Sequence, residues 1–214
     1  MSRIIALCED DTEEVALRRF IVRQWQADGL GSVGLNGVNL DGQIENVGKL
    51  ARLYLDEQDV LAVFTLVDLQ GMTRVVHPPH DNLEAKVERV QEWLRAQVTH
   101  ARVRQFFPHV YVHEVEAWIL AEGHALARRL KDPGIEPDPN AESKDFQNPP
   151  SERLNGLFLR KRSRRYNKVS DGQPLFAAME FDPVYNSCPH FRAFYDDLRA
   201  AAGIGRPLPQ ASGT

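Results

Sequence analysis

The chain has 214 residues, 43% of them hydrophobic, enough for one sizeable core with an appendage and too few for several enzymatic modules. Its formal net charge of −4 excludes an overall basic field of the kind that advertises nucleic-acid or membrane binding, and two cysteines exclude a disulfide framework or a Cys-based zinc site. The first apolar run, Ile4 to Cys8, is too short for a signal-peptide core and no run reaches membrane-spanning length, so a soluble, cytoplasmic protein is expected.

In chain order, Ile4 to Cys8 reads as a buried strand, and behind it stand Glu9, Asp10, Asp11, Glu13 and Glu14. Asp11 or Thr12 is expected to cap a helix whose apolar stripe is Val15, Leu17, Phe20, Ile21 and Trp25. "LGSVGLNGV" suggests a short glycine-rich strand, and Asp41 is expected to open a helix with Ile44, Val47, Leu50, Ala51 and Tyr54 on one face. Asp59 to Asp68, "DVLAVFTLVD", is the clearest buried strand, because its apolar residues leave no solvated face. Asp81 with Glu84 predicts a capping box for a helix carrying Leu83, Val87, Val90, Leu94 and Val98. "FFPHVYVH" supplies a fourth strand and "EVEAWILA" another helix. Beyond it lie a proline-rich stretch, a strongly basic run and a last helix from Pro189 to the stop at Gly203.

This alternation predicts an α/β fold, a mostly parallel sheet covered by helices, with a helical C-terminal extension. The expected division is an α/β domain over 1–131, a proline-rich loop or linker over 132–152, a basic and helical extension packed on the first domain over 153–203, and a tail over 204–214. In such sheets ligands bind outside the carboxyl ends of the strands. Acids stand there three times: Glu9 after the first strand, Asp68 after the third, Glu114 and Glu116 after the fourth. In extended backbone, residues two apart share a side, so Glu114 and Glu116 are expected to face one cation. Crowded carboxylates repel one another, whereas Mg²⁺ or Mn²⁺ accepts hard oxygen ligands in this arrangement. Plainer uses compete: Asp10, Asp11, Glu13 and Glu14, and likewise Glu114 and Glu116, stand at helix starts where carboxylates cap amides and complement the dipole, and Asp68 can form a turn.

From Arg153 to Lys168 the chain carries seven Lys or Arg and no acid, which leaves the remainder at −11, 19 basic against 30 acidic residues. Arg160, Lys161, Arg162, Arg164 and Arg165 within it are candidates to lie along a nucleic-acid backbone, with Tyr166 either stacking on a base or packing as an ordinary core side chain. "HPPH", His77 to His80, with His109 and His113, permits a zinc site, but without supporting Cys a proline loop is the simpler reading. "GLGSVG" follows a helix rather than joining a strand to one, so its match to a dinucleotide fingerprint is set aside.

The acid after the first strand with another four residues on, Glu9 and Glu13, the Asp after the third strand and the acids after the fourth resemble the Toprim fold of topoisomerases, bacterial primases and OLD-type nucleases. "CEDDTEE", "LVDLQGM", "VYVHEVEAWILA", "PPSERL", "RYNKVSDG" and "CPHFRAFYDDL" more closely resemble successive blocks of the bacterial Toprim-like family catalogued as domain of unknown function 4276. That resemblance implies a metal-dependent nuclease centre, often encoded beside a separate ATPase in defence loci against phage or plasmids. It implies phosphodiester hydrolysis with Mg²⁺ or Mn²⁺ held by Glu9, Asp68, Glu114 and Glu116, with Glu13 as outer ligand or base. Arg153 and Lys168, from the two C-terminal blocks, are expected to stabilise charge on the phosphate. The sequence departs from the pattern twice: Asp10 replaces a usual Gly, and Asp68-Leu69-Gln70 replaces Asp-x-Asp, leaving Gln70 to ligate through its carbonyl.

Two readings compete with the nuclease. One is a non-catalytic Toprim-like subunit that regulates, or binds nucleic acid for, a partner ATPase. The other is a receiver domain with Asp68 as phosphoacceptor, against which stand the long interval from Asp10 to Asp68 and the unexplained C-terminal blocks. A homo-oligomer is compatible with every reading.

Overall fold

The computed structural model describes residues 1–72, 76, 82–143 and 148–203. Strand β1 (Arg3–Cys8) is followed by helices α1 (Asp11–Ala16) and α2 (Val22–Ala27), joined by a π-helical turn at Leu17–Ile21. The wider turn keeps Leu17, Phe20 and Ile21 all inward. Strand β2 (Gly34–Asn39) leads through a 3₁₀ turn at Ile44–Asn46 into α3 (Val47–Asp56), so this helix starts later than Asp41. Next come β3 (Val60–Asp68), the short α4 (Leu69–Met72), α5 (Leu83–Ala96), and two strand fragments, β4 (Phe106–Phe107) and β5 (Val110–Tyr111). The rest is helical: α6 (Glu116–Glu122), α7 (His124–Leu130), α8 (Pro150–Arg162), α9 (Gln173–Ala178), α10 (Phe181–Ser187) and α11 (Pro189–Ala201).

All strand pairings are parallel, in the order β2-β1-β3-β4, with β5 also on β3. The expected fourth strand is therefore two pieces along one edge of β3, pairing at Val63 and Phe64 and again at Val67 and Asp68. Pro108 supplies no N–H at the break. The Thr65 hydroxyl spans it, donating to the His109 carbonyl at 2.9 Å and accepting from the His109 N–H at 3.0 Å.

Alternation along β1 sends Ile4, Ala6 and Cys8 to one face and Ile5 and Leu7 to the other. The second face is closed by α3 and α5 through Val47, Ala51, Val90 and Leu94. The first is closed by α1, α2 and α6 together with the C-terminal helices, whose Leu154, Phe158, Phe176, Phe191 and Phe194 share one core with Phe20, Phe64 and Trp118. Aromatic rings dominate that interface, as in the Phe20–Phe191 pair with centroids 5.6 Å apart.

Several local expectations change. The first helix is capped by Asp10, one residue before Asp11: its carboxylate accepts from Thr12 N–H at 2.6 Å, and Glu13 returns the bond by accepting from Asp10 N–H at 3.0 Å. Asn82 caps α5, accepting from Ala85 N–H at 2.8 Å, while Asp81 and the tail over 204–214 lie outside the described residues. Helix α8 begins at Pro150, inside the stretch expected as linker. That stretch is also anchored: Glu142 is buried and accepts the N–H groups of His190 and Phe191, capping α11, whose own N-cap Cys188 offers no side-chain bond.

Candidate metal centre

The sheet order places β1 between β2 and β3, so the crevice at the carboxyl ends of β1 and β3 is where a doubly wound sheet gathers its ligand. Glu9 and Asp68 stand at that point. The β1–β3 ladder continues one residue past the strand, Glu9 N–H donating to the Leu66 carbonyl at 3.2 Å, and the Glu9 carboxylate accepts from the Asp68 N–H at 2.7 Å. Gly71 of α4 lies so close to the Glu9 carboxylate that a Cβ there would collide with it. Asp68 is followed directly by α4, a short helix that the sequence did not announce, and its carboxylate accepts from Gln70 N–H at 2.8 Å. The turn-forming role expected of Asp68 is thus observed, on the side chain also expected as a metal ligand. Burial pushes the Asp68 carboxyl up to about 7, and Glu9 and Glu114 add to the shift.

Glu114 and Glu116 do not sit on extended backbone. The chain turns there, Val115 being helical and Ala117 N–H donating to the Glu114 carbonyl at 2.9 Å. Their carboxylates nevertheless approach one partner, the Lys168 ammonium, at 3.9 Å from Glu114 and 3.7 Å from Glu116. Glu114 also accepts from Ser151 N–H at 2.8 Å, which ties the start of α8 to the centre. Glu116 is fully buried, and neither of its carboxylate oxygens has a hydrogen bond among the described residues. Burial pushes its carboxyl up to about 7, with Lys168 opposing the shift and Glu114 adding to it. Lys168 loses hydration by burial, yet Glu116, Glu114 and Asp10 outweigh that and hold its ammonium above the usual range.

The other candidates are distributed around this centre. Glu13 is turned inward, 4% exposed, closing the helix cap and accepting from the Tyr111 hydroxyl at 2.5 Å. Burial and the neighbouring Asp10 drive its carboxyl well above the usual range. Arg153 donates to Asp138 at 2.7 Å from the first turns of α8. In the basic run, Lys161 pairs with Asp132 at 2.8 Å, Arg162 donates to the Arg129 carbonyl at 2.6 Å, and Arg164 is clamped bidentately on Asp171 at 2.5 and 2.7 Å. Arg160 and Arg165 are exposed and make no side-chain hydrogen bond or ion pair among the described residues. His77 and His80 lie outside those residues, while His109 pairs with Asp197 at 3.0 Å and its ring stacks on Phe64.

Of the two readings the sequence left for Tyr166, base stacking or core packing, its burial favours the core. Tyr166 is buried beside Glu116, and its hydroxyl has no hydrogen-bond partner of acceptable geometry among the described residues. The Ser151 N–H and the Gly71 approach are backbone features, legible only once the fold is known.

Among the described residues, no three His, Cys, Asp or Glu are close enough, as they stand, to hold a metal ion. The donor chemistry fits one all the same. It consists of carboxylate and amide oxygens, and its most buried member, Glu116, has no hydrogen bond to either oxygen among the described residues and only the Lys168 ammonium at 3.7 Å. A buried carboxylate with no hydrogen bond is costly unless a proton or a cation neutralises it.

Residues 8–199 match the family described as Domain of unknown function (DUF4276). The chain belongs to that family. No curated protein matches it. Among solved structures it is similar to the C-terminal region of the Burkholderia pseudomallei OLD protein, at 17% identity over 94% of this chain and 99% of that one, with a TM-score of 0.50. It is also similar to the C-terminal region of the Xanthomonas campestris pv. campestris OLD protein, at 18% identity over 95% of this chain and 98% of that one, with a TM-score of 0.49. The Burkholderia likeness agrees with the α/β fold expected from the sequence. No helix among the described residues is long and apolar enough to cross a membrane.

Proposed function

We propose that this DUF4276 protein is a metal-dependent phosphodiesterase acting on nucleic acid. One observation carries the reading: carboxylates follow three strands at the side of the sheet's switch point, Glu9 and Glu114 both act on Asp68 and Glu114 on Glu116, and the buried Glu116 keeps both oxygens without a hydrogen bond among the described residues. Glu9, Asp68, Glu114 and Glu116 are the residues to hold Mg²⁺ or Mn²⁺, with the Gln70 carbonyl available beside Asp68. When bound, such an ion polarises a phosphoryl oxygen and lowers the pKa of bound water.

The chain's own residues supply the rest. Lys168 carries a positive charge to the mouth of the acid cluster, where it neutralises part of the carboxylate field and can face a phosphate oxygen. Glu13 and Tyr111 brace the helix behind Glu9. Arg153, held by Asp138, is the second cation proposed to face the phosphate, from the first turns of α8, whose Ser151 N–H donates to Glu114. A partnership with a separate ATPase and a role in defence against phage or plasmids, which the resemblance of the sequence to its family implies, are carried here as part of the proposal.

Incubating the purified protein with labelled single- and double-stranded DNA and RNA, in Mn²⁺ and in EDTA, tests the activity. Cleavage in Mn²⁺ that is lost in EDTA and in Glu116→Gln is the expected result. A wild-type protein that binds Mn²⁺ but cleaves none of these substrates, alone or with its ATPase partner, would leave the non-catalytic reading in place.

A further inference from the structure

The basic residues of the C-terminal region divide by what already holds them. Lys161, Arg162 and Arg164 are engaged by Asp132, the Arg129 carbonyl and Asp171, and Arg164 also lies over the Phe158 ring at 5.3 Å. Arg153 is half engaged: one guanidinium nitrogen donates to Asp138 at 2.7 Å, while the other, Nη1, is buried without a hydrogen-bond partner among the described residues. Arg160 is exposed; Asp132 feels its charge, but no hydrogen bond or ion pair holds its side chain among the described residues.

These last two belong together. Arg153, Gly156, Leu157 and Arg160 recur at the spacing of one helix face on α8 and line a cleft of about 380 Å³. Gly156 forms its floor. A Cβ at that position would stand 3.4 Å from Arg160 Nη1, so the guanidinium folds back across the glycine along the helix surface. Glu152, the one acid on the lining, turns to Asn155, whose amide donates to it at 3.2 Å. Seven residues of helix set Arg153 and Arg160 about 10 Å apart along the axis. A buried guanidinium N–H with no acceptor costs free energy, and guanidinium forks match phosphate oxygens. The helix that carries them starts at the acid centre, where Ser151 N–H donates to Glu114.

We infer that the cleft between Arg153 and Arg160, floored by Gly156, is a phosphate subsite that holds a backbone phosphate of the strand running from the acid centre along α8. This rests on the nucleic-acid reading above but not on cleavage, since it concerns a phosphate that does not react. Free phosphate and a strand phosphate share the recognising chemistry, so the test separates them.

Binding of a short fluorescently labelled single strand to the full-length protein is measured by anisotropy over a salt series in EDTA, where no metal-dependent cleavage occurs. Three variants are compared: Arg160→Gln; Gly156→Leu, which fills the cleft and leaves every charge in place; and Arg19→Gln, which removes an exposed charge on the π-helical turn between α1 and α2, outside the cleft lining. Arg160→Gln is expected to weaken binding by about fivefold and to reduce the salt slope by about 0.7. Gly156→Leu should weaken binding comparably with melting temperature unchanged or raised, because leucine favours a helix over glycine. Arg19→Gln should have the smaller effect. Equal losses from Arg160→Gln and Arg19→Gln, with none from Gly156→Leu, would reduce the cleft to diffuse attraction and overturn the inference. A wild type that binds no strand, yet is stabilised by inorganic phosphate in an Arg160-dependent way, would equally overturn it in favour of a small phosphate ligand. Strand binding that responds to the cleft without any Mn²⁺-dependent cleavage would sink the nuclease reading alone.

Discussion

Asp171 and Glu116 are both fully buried carboxylates, and the protein treats them in opposite ways. Asp171 accepts from Arg164 through two bonds, from Arg129 at 3.1 Å and from Asn167 N–H at 3.1 Å. Burial works against its charge, but those partners outweigh burial and hold its carboxyl below the usual range. Glu116 has one cation at 3.7 Å, too far for a hydrogen bond, and its carboxyl rises to about 7. The fold gives Asp171 its partners and leaves Glu116 short of them, and that shortage is what the proposed ligand role of Glu116 rests on.

That contrast breaks most visibly at Asp171. Asp171→Ala removes the acceptor for two arginines and a backbone N–H, and is expected to lower stability by about 2–3 kcal/mol. Thermal denaturation would show this as a fall of several degrees, and an unchanged melting temperature would reduce the node to a surface ion pair.

Glu142 is an intermediate case, a buried carboxyl bonded by neutral groups, the N–H of His190 and Phe191 with the Trp118 side chain, and burial pushes it up to about 7. Its folded value lies above the ordinary 4.5, so the folded state holds the proton more tightly than the unfolded one. This group's contribution is therefore fully present below about 4.5 and is lost as pH rises through about 7. Glu142→Gln should flatten that dependence, gaining on the order of 2 kcal/mol relative to wild type between pH 5 and 8. Denaturant unfolding at the two pH values checks it, and parallel pH profiles would contradict it.

At the acid centre the effects are smaller in stability and larger in binding. Gly71→Ala places a methyl against the Glu9 carboxylate and is expected to weaken Mn²⁺ binding about tenfold with the fold intact, as judged by calorimetry beside a melting curve. Glu116→Gln is expected to change metal-free stability by no more than about 1 kcal/mol in either direction, since it removes a buried charge that has no hydrogen bond among the described residues and only the Lys168 ammonium at 3.7 Å. A clear loss of stability in that variant would make Glu116 a structural residue like Asp171.

How much of this was legible in the sequence follows the same division. Strand β3 announced itself because nine consecutive residues are committed to the interior or the sheet end, and the acids behind β1 and β3 followed from strand order alone. The fourth strand was misjudged because Pro108 breaks the ladder and a side-chain hydroxyl, Thr65, restores it. Glu114 and Glu116 were expected together for the wrong geometric reason: they converge through a helical turn and a lysine some fifty residues away in sequence. The basic run gave a charge count but not its allocation, because Asp132 and Asp171, which hold Lys161 and Arg164, lie elsewhere in the chain. Gly71 against Glu9 and Glu142 beneath α11 are long-range approaches with no local pattern to betray them.

The central claim, that the strand-end acids form one cation site, is tested most directly by titrating Mn²⁺ into wild type, Asp68→Asn and the double variant Glu114→Gln with Glu116→Gln by calorimetry. The account predicts that wild type binds and that both variants lose binding while remaining folded. Undiminished Mn²⁺ binding in the double variant would contradict it, leaving those two acids as helix-start residues and Asp68 as the acid to examine for phosphorylation by acetyl phosphate.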